Sequence, residues 1–234
     1  MLATMSATTD FQNKQAVEIS LGGRYSLASR YDARGNRREF ACRTSRVSPF
    51  HMLVEVPVLG PVGERVLTYF GDFGTLDGRI IDTAGSGLLL DLELPRTKRE
   101  KFCSQLTWIA KRQKETVAEA RHQKRLVPKS PHSTLIFGDG TTMNCLVIDV
   151  SPSGVAVSAD AEPEIGTRLA VGRNVGHVVR AFGEGFAVQF DQLQNFDDLE
   201  RTLIPPKDIS AYLQRQVNLH PMAAASPDDR WVVD

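Results

Sequence analysis

Between Ser133 and Phe190 the apolar positions come in short bursts separated by glycine, proline and polar residues. "STLIF" is followed by "GDG", a hairpin signal, and then by "TMNCLVIDV". "GVAVSA", "TRLAVG", "GHVVRAF" and "GFAVQF" follow, each of strand size and each bounded by turn residues. Six short strands at this spacing predict a small antiparallel barrel, since closing the sheet removes its exposed edges.

The same pattern occurs twice. Slid along itself by 103 residues, the chain lays "ACRTSRVSPFHMLVEV" over "NCLVIDVSPSGVAVSA". Cys42 then meets Cys145, and Val47-Ser48-Pro49 meets Val150-Ser151-Pro152. The same offset brings "VGERV" onto "IGTRL", and an offset of 98 brings "GRIIDTAGSGLLLDL" onto "GHVVRAFGEGFAVQF". A constant offset with one gap, near "YFGDFGTLDG", marks a duplicated domain. The matched cysteines are most simply small core residues.

Between the copies the period changes. Phe102, Leu106, Ile109 and Ala110 recur at helical spacing, and Lys and Arg fill the other faces. This predicts an amphipathic helix that closes the first barrel. After the second barrel, "FDDLERTLI" and "KDISAYLQRQV" read as helical, split by Pro205-Pro206. The expected class is mainly β: two six-stranded antiparallel barrels joined by an amphipathic helix, with short C-terminal helices. The expected boundaries are a first barrel over 11–95, a connecting helix over 96–118, a second barrel over 119–192, a helical segment over 193–220 and a disordered tail over 221–234.

Composition narrows the function. The chain has 28 basic and 28 acidic residues, so it lacks the surplus of a general polyanion binder and any anion site must be local. Residues 96–125 form the most basic stretch, with ten Lys/Arg against three Glu, a pattern that also suits an ordinary solvated helix face. Cys42, Cys103 and Cys145 cannot all pair and lack metal-ligand spacing, and His51, His122, His132, His177 and His220 are scattered. No structural metal or cofactor is expected. The opening residues are polar and no apolar run is long enough to span a bilayer, so the expected location is the cytoplasm, without membrane insertion.

One constellation stands out in the second copy. "RHQKR" places Arg121 and Arg125 four apart at the entrance of the barrel, and "DVSPSG" places Asp149, Ser151 and Gly154 on the turn after its second strand. Arginines offer planar forks that pair with phosphate and with the O6/N7 edge of guanine. A carboxylate accepts only, which suits the N1–H and N2–H donors of guanine, and a serine hydroxyl serves either role. Glycine lets backbone approach a flat ligand. The set therefore describes a guanine-nucleotide pocket, and no Walker or Rossmann loop offers an alternative phosphate cradle. Each residue also has a plain use: Asp149 and Ser151 as turn caps, Gly154 at a positive φ, Arg121 and Arg125 as solvated helix ends.

"RHQKR" followed by "DVSPSG" on a six-stranded barrel resembles the PilZ family, whose signature is RxxxR followed by [D/N]xSxxG. The resemblance covers roughly 119–192, and the first copy looks like a second, diverged PilZ domain. It implies binding of cyclic di-GMP, with Arg121 and Arg125 clamping guanines and phosphates from a linker while Asp149, Ser151 and Gly154 read another guanine edge.

The first copy departs from that signature. Arg46 stands where Asp149 does and His51 where Gly154 does. Arginine cannot accept from guanine, and histidine adds a Cβ and a ring. Arg34 and Arg38 match RxxxR only by spacing, for the offset puts them beside the hairpin "GDGTT". The first barrel is thus expected to serve another use, either packing against the second or holding a partner.

The leading expectation is a non-enzymatic cyclic di-GMP receptor that relays binding through rearrangement of its domains or of a protein partner. A protein-interaction adaptor that binds no nucleotide is the alternative. Binding of DNA or RNA is not expected, because aromatic stacking platforms are sparse on the strands. An enzyme is not expected either, as no nucleophile–base pair, carboxylate pair or metal cluster can be assembled from adjacent motifs.

Overall fold

The computed structural model describes residues 16–116 and 125–207. The first barrel is built from β2 (Gly22–Leu27), β3 (Phe40–Val47), β4 (His51–Glu55), β5 (Arg65–Phe70), β6 (Gly74–Ala84) and β7 (Gly87–Leu92). These close in the order β3-β2-β5-β6-β7-β4 through a β3–β4 pairing, and a short β1 (Val17–Glu18) adds to β3. The second barrel contains β8 (His132–Phe137), β9 (Thr142–Ser151), β10 (Gly154–Ala159), β11 (Arg168–Val171), β12 (Asn174–Phe182) and β13 (Gly185–Phe190). Its closed order, β10-β13-β12-β11-β8-β9, repeats that of the first when strands are matched in sequence.

The duplication extends to single residue pairs. Thr44↔Val54 and Arg46↔Leu53 in the first barrel correspond to Val147↔Val157 and Asp149↔Ala156 in the second, each time with a bulge between them. Likewise Ile80↔Leu90 and Asp82↔Leu89 correspond to Val178↔Val188 and Arg180↔Ala187, again across a bulge. Bulges bend a strand and increase its twist, which closing so small a barrel requires.

Alternation along each strand sends one set of side chains inward. In the first barrel Tyr25, Phe40, Phe70, Met52, Ile80 and Leu90 meet in one core. In the second, Leu135, Val147, Val157, Val178, Phe186 and Val188 do so. Cys42 and Cys145 are both buried core residues, as the matched pattern predicts. Burial pushes the Cys145 thiol up to about 12, so the group stays protonated and behaves as a small apolar side chain.

Each barrel is plugged by the helix that follows it. Helix α1 (Arg96–Thr116) buries Phe102, Leu106 and Ile109 in the first core, with Phe102 edge-on to Phe73 at 4.8 Å between ring centroids. After the second barrel, a 3₁₀ turn (Phe196–Asp198) leads into α2 (Leu199–Thr202), and Leu199 and Leu203 enter the second core. "FDDLERTLI" is thus helical only as far as Thr202. "KDISAYLQRQV" lies outside the described residues apart from Lys207.

The barrels are joined by more than a connecting helix. Arg38, from the β2–β3 hairpin, places Nη1 2.6 Å from Asp160 Oδ1 and Nε 3.1 Å from Glu162 Oε1. It also donates to the carbonyls of Ala159 and Ala161. Arg30 pairs with the other oxygen of Asp160 at 3.0 Å. The Ala41 amide donates to the buried Ser158 hydroxyl at 3.0 Å, and His132 Nε2 lies 2.6 Å from Glu55 Oε2. The first barrel is therefore docked on the second, one of the two uses expected for it.

Candidate functional site

The β9 bulge shapes the site. Val147 and Val150 point into the core, and the bulge leaves Ile148 and Asp149 side by side between them, both half-buried. Just upstream, the Leu126 amide donates to the Val150 carbonyl at 2.7 Å and the Val150 amide donates back at 2.8 Å. This bridge lays the entering segment alongside the end of β9, with Leu126 packed against the second core. It brings Arg125 Nη1 to 3.6 Å from Asp149 Oδ2.

That distance exceeds hydrogen-bond reach, so the two form a loose ion pair. The Arg125 side chain is 67% exposed and that of Asp149 29%. Among the described residues no hydrogen bond holds the Arg125 guanidinium, and its planar donor edge remains available to a phosphate or purine. Arg121 lies outside the described residues.

Ser151 and Gly154 have internal uses. The Ser151 hydroxyl donates to the Gly154 carbonyl at 3.2 Å, closing the turn, with Ser153 Oγ 3.4 Å away. In the first copy Ser48 does the same for His51, donating to its carbonyl at 3.1 Å and accepting from its amide at 2.8 Å. Gly154 is not among the glycines at positive φ, so that explanation of it is set aside. A Cβ on Gly154 would instead stand 2.6 Å from the Val188 carbonyl oxygen, so β10 and β13 approach each other through the missing side chain.

The corresponding place in the first barrel is occupied differently. Here β1 takes the part of the Leu126 bridge, with Val17 opposite Val47 as Leu126 is opposite Val150. Ala16 precedes Val17 where Arg125 precedes Leu126. Glu18 lies across from Arg46 in the register, at the position of Val127 rather than of Arg125. Arg34 and Arg38 are on the β2–β3 hairpin, away from this patch, and Arg38 is engaged with the second barrel.

Sequence reasoning missed Arg43. Its guanidinium donates to the Pro128 carbonyl at 2.6 Å and to the Val147 carbonyl at 3.3 Å, so it reaches from the first barrel to both sides of the site. Burial pulls its pKa below the ordinary arginine value, against the attraction of Glu55 opposite it on β4. The available signal was the offset, which sets this arginine against the apolar Leu146.

Among the described residues no three His, Cys, Asp or Glu side chains form a metal-binding group. None of the helices described is long and apolar enough to cross a membrane.

Residues 119–204 match the PilZ domain family. Comparison with curated proteins gives no match. Among solved structures, PlzA from Borreliella burgdorferi in complex with c-di-GMP is 12% identical, covering 91% of this chain and 98% of that one at a TM-score of 0.28. Bacillus subtilis MotI/DgrA, an inhibitor of motility, is 14% identical, with 86% and 99% covered and a TM-score of 0.25. YcgR from Escherichia coli in complex with c-di-GMP is 12% identical, with 93% and 92% covered and a TM-score of 0.24.

Proposed function

We propose that the second barrel, which lies within the residues 119–204 that match the PilZ domain family, is a receptor for cyclic di-GMP and that the first is its docked, diverged companion. The observation that supports this most is the meeting of the two motif halves on one patch. The Leu126–Val150 bridge sets Arg125 3.6 Å from Asp149, although 24 residues separate them in the chain. A guanidinium that no hydrogen bond holds among the described residues and a half-buried carboxylate supply the donors and acceptors that a guanine with a neighbouring phosphate needs. Arg121, four residues before Arg125 in sequence, supplies the second clamp. Ligand drawn to these arginines engages the segment that enters the second barrel, and the relay passes through the docking of the two barrels or to a protein partner.

A nucleotide-free adaptor is the second reading. It is favoured by the internal uses of Ser151, which closes a turn, and of Gly154, whose missing Cβ the barrel itself requires. Calorimetric titration of cyclic di-GMP into the full-length protein separates the two. The receptor reading expects about one site per chain. It also expects Arg125→Ala to weaken binding about tenfold or more, as loss of a charged hydrogen-bonding group costs about 1.5–3 kcal/mol. Absence of binding to the intact protein leaves the adaptor reading.

A further inference from the structure

At 7% exposure Arg43 is the most enclosed charged residue among those described, yet it points away from its own barrel. Its acceptors are all backbone carbonyls of the other barrel: Pro128 at 2.6 Å, Val147 at 3.3 Å and, at the limit of reach, Ile148 at 3.5 Å. Pro128 lies three residues after Arg125, and Ile148 immediately precedes Asp149. Pro128 has no N–H, so this carbonyl is its only backbone polar group, and Arg43 satisfies it. Lysine could reach one of these oxygens as a point charge, but only the guanidinium fork spans two elements at once.

We propose that Arg43 is a positioning residue for the ligand patch of the second barrel. One side chain of the first barrel ties the segment that carries Arg125 to the strand that carries Asp149, so the spacing of the pair depends on the barrels being docked. Other contacts hold the same segment as well, the paired Leu126–Val150 backbone bonds to β9 most directly. The Val147 amide donates to the Pro131 carbonyl at 2.6 Å, and the Lys129 amide donates to Glu200 at 2.8 Å. Both come from within the second barrel and its C-terminal helix. Among the described hydrogen bonds to residues 125–131, those from the first barrel come from Arg43, and the Glu55–His132 pair joins the same barrel to the start of β8 just beyond. Ligand affinity is therefore coupled to a residue that the ligand does not touch.

The ligand half of this proposal rests on the receptor reading, while the positioning half does not, and the test separates them. Hydrogen exchange is measured on the full-length protein and on Arg43→Leu, which installs the residue found at the matched position 146, with Arg43→Lys in parallel. In Arg43→Leu the paired amides of Leu126 and Val150 are expected to exchange at least tenfold faster, while the Val178 and Val188 amides of the barrel wall and the global unfolding midpoint stay unchanged. Arg43→Lys is expected to fall between, and it serves alone should Arg43→Leu lose its cooperative transition. Cyclic di-GMP titrated into the same proteins is expected to bind the Leu variant about tenfold more weakly. Unchanged exchange at Leu126 and Val150 overturns the positioning role. Faster exchange with unchanged affinity overturns the coupling to ligand. Faster exchange in a protein whose wild type binds no cyclic di-GMP overturns the receptor reading and leaves the positioning role standing.

Discussion

A duplicated chain tests its own residues, because each position has a counterpart in an equivalent barrel. Gly78 and Gly176 correspond at offset 98, and both are glycine for the same reason. A Cβ would stand 2.8 Å from the Asp91 carbonyl in one copy and 2.1 Å from the Gln189 carbonyl in the other. Backbone atoms of a paired strand cannot step aside as a side chain tip can. Gly176→Ala is therefore expected to lower stability by about 1–3 kcal/mol, the usual penalty of overpacking, seen as a lower urea midpoint at unchanged slope. Gly183→Ala, with nothing within 4 Å of its added Cβ, is expected to stay within about 0.5 kcal/mol of wild type. Gly154 differs from both: it too has a carbonyl 2.6 Å from a virtual Cβ, but its counterpart is His51, in the same register. The barrel topology accommodates a side chain at this position, and the glycine belongs to the particular approach of β10 and β13 in the second copy.

Among the elements, the β5–β6 hairpin shows how the exposed faces are organised. Its register sets Arg65 opposite Arg79 and Leu67 opposite Asp77, so Arg65 reaches diagonally to Asp77. There Nε lies 2.9 Å from Oδ1, and Nη2 meets Oδ2. The Arg65 hydrogen bond holds the Asp77 carboxyl below its usual range, against a smaller opposing effect of burial. A folded pKa below the unfolded value means that the pair's stabilisation is present above the unfolded carboxylate pKa of about 3.9 and is lost as pH falls through the lower folded value. Because Arg65 is more than half exposed, the effect is at most about 1 kcal/mol. Asp77→Asn is accordingly expected to be less stable than wild type at pH 7, with the difference shrinking as pH drops below about 4. Urea midpoints measured across that range check it, and a constant difference argues against the pair as its source.

At the scale of the whole molecule the decisive feature is the docking of one barrel on the other. Arg38 is the main clamp, with a side chain only 16% exposed and hydrogen bonds or ion pairs to four residues of the second barrel. Arg38→Ala leaves Asp160 with Arg30 and strips two carbonyls of a charged donor. The wild type is expected to unfold in one calorimetric transition and Arg38→Ala in two, as the barrels uncouple while each keeps its own core. A single, unshifted transition in the variant shows that the docking lies elsewhere. The local period of the chain was enough to determine both barrels, their duplication to the residue and the plugging helix with Phe102, Leu106 and Ile109, because strand alternation, helical spacing and glycine punctuation are written in neighbouring residues. Asp149, expected on the turn, lies instead at the bulge within β9. What only the tertiary structure decided was the use of residues whose partners are remote in sequence. Arg38, which matches the RxxxR spacing in the wrong place, clamps Asp160 across 122 residues. Arg43 reaches Pro128 across 85 residues, and Ser151 and Gly154 are partly consumed by the barrel itself. A buried guanidinium is stable only where acceptors converge on it, and no local pattern records which distant carbonyls will do so.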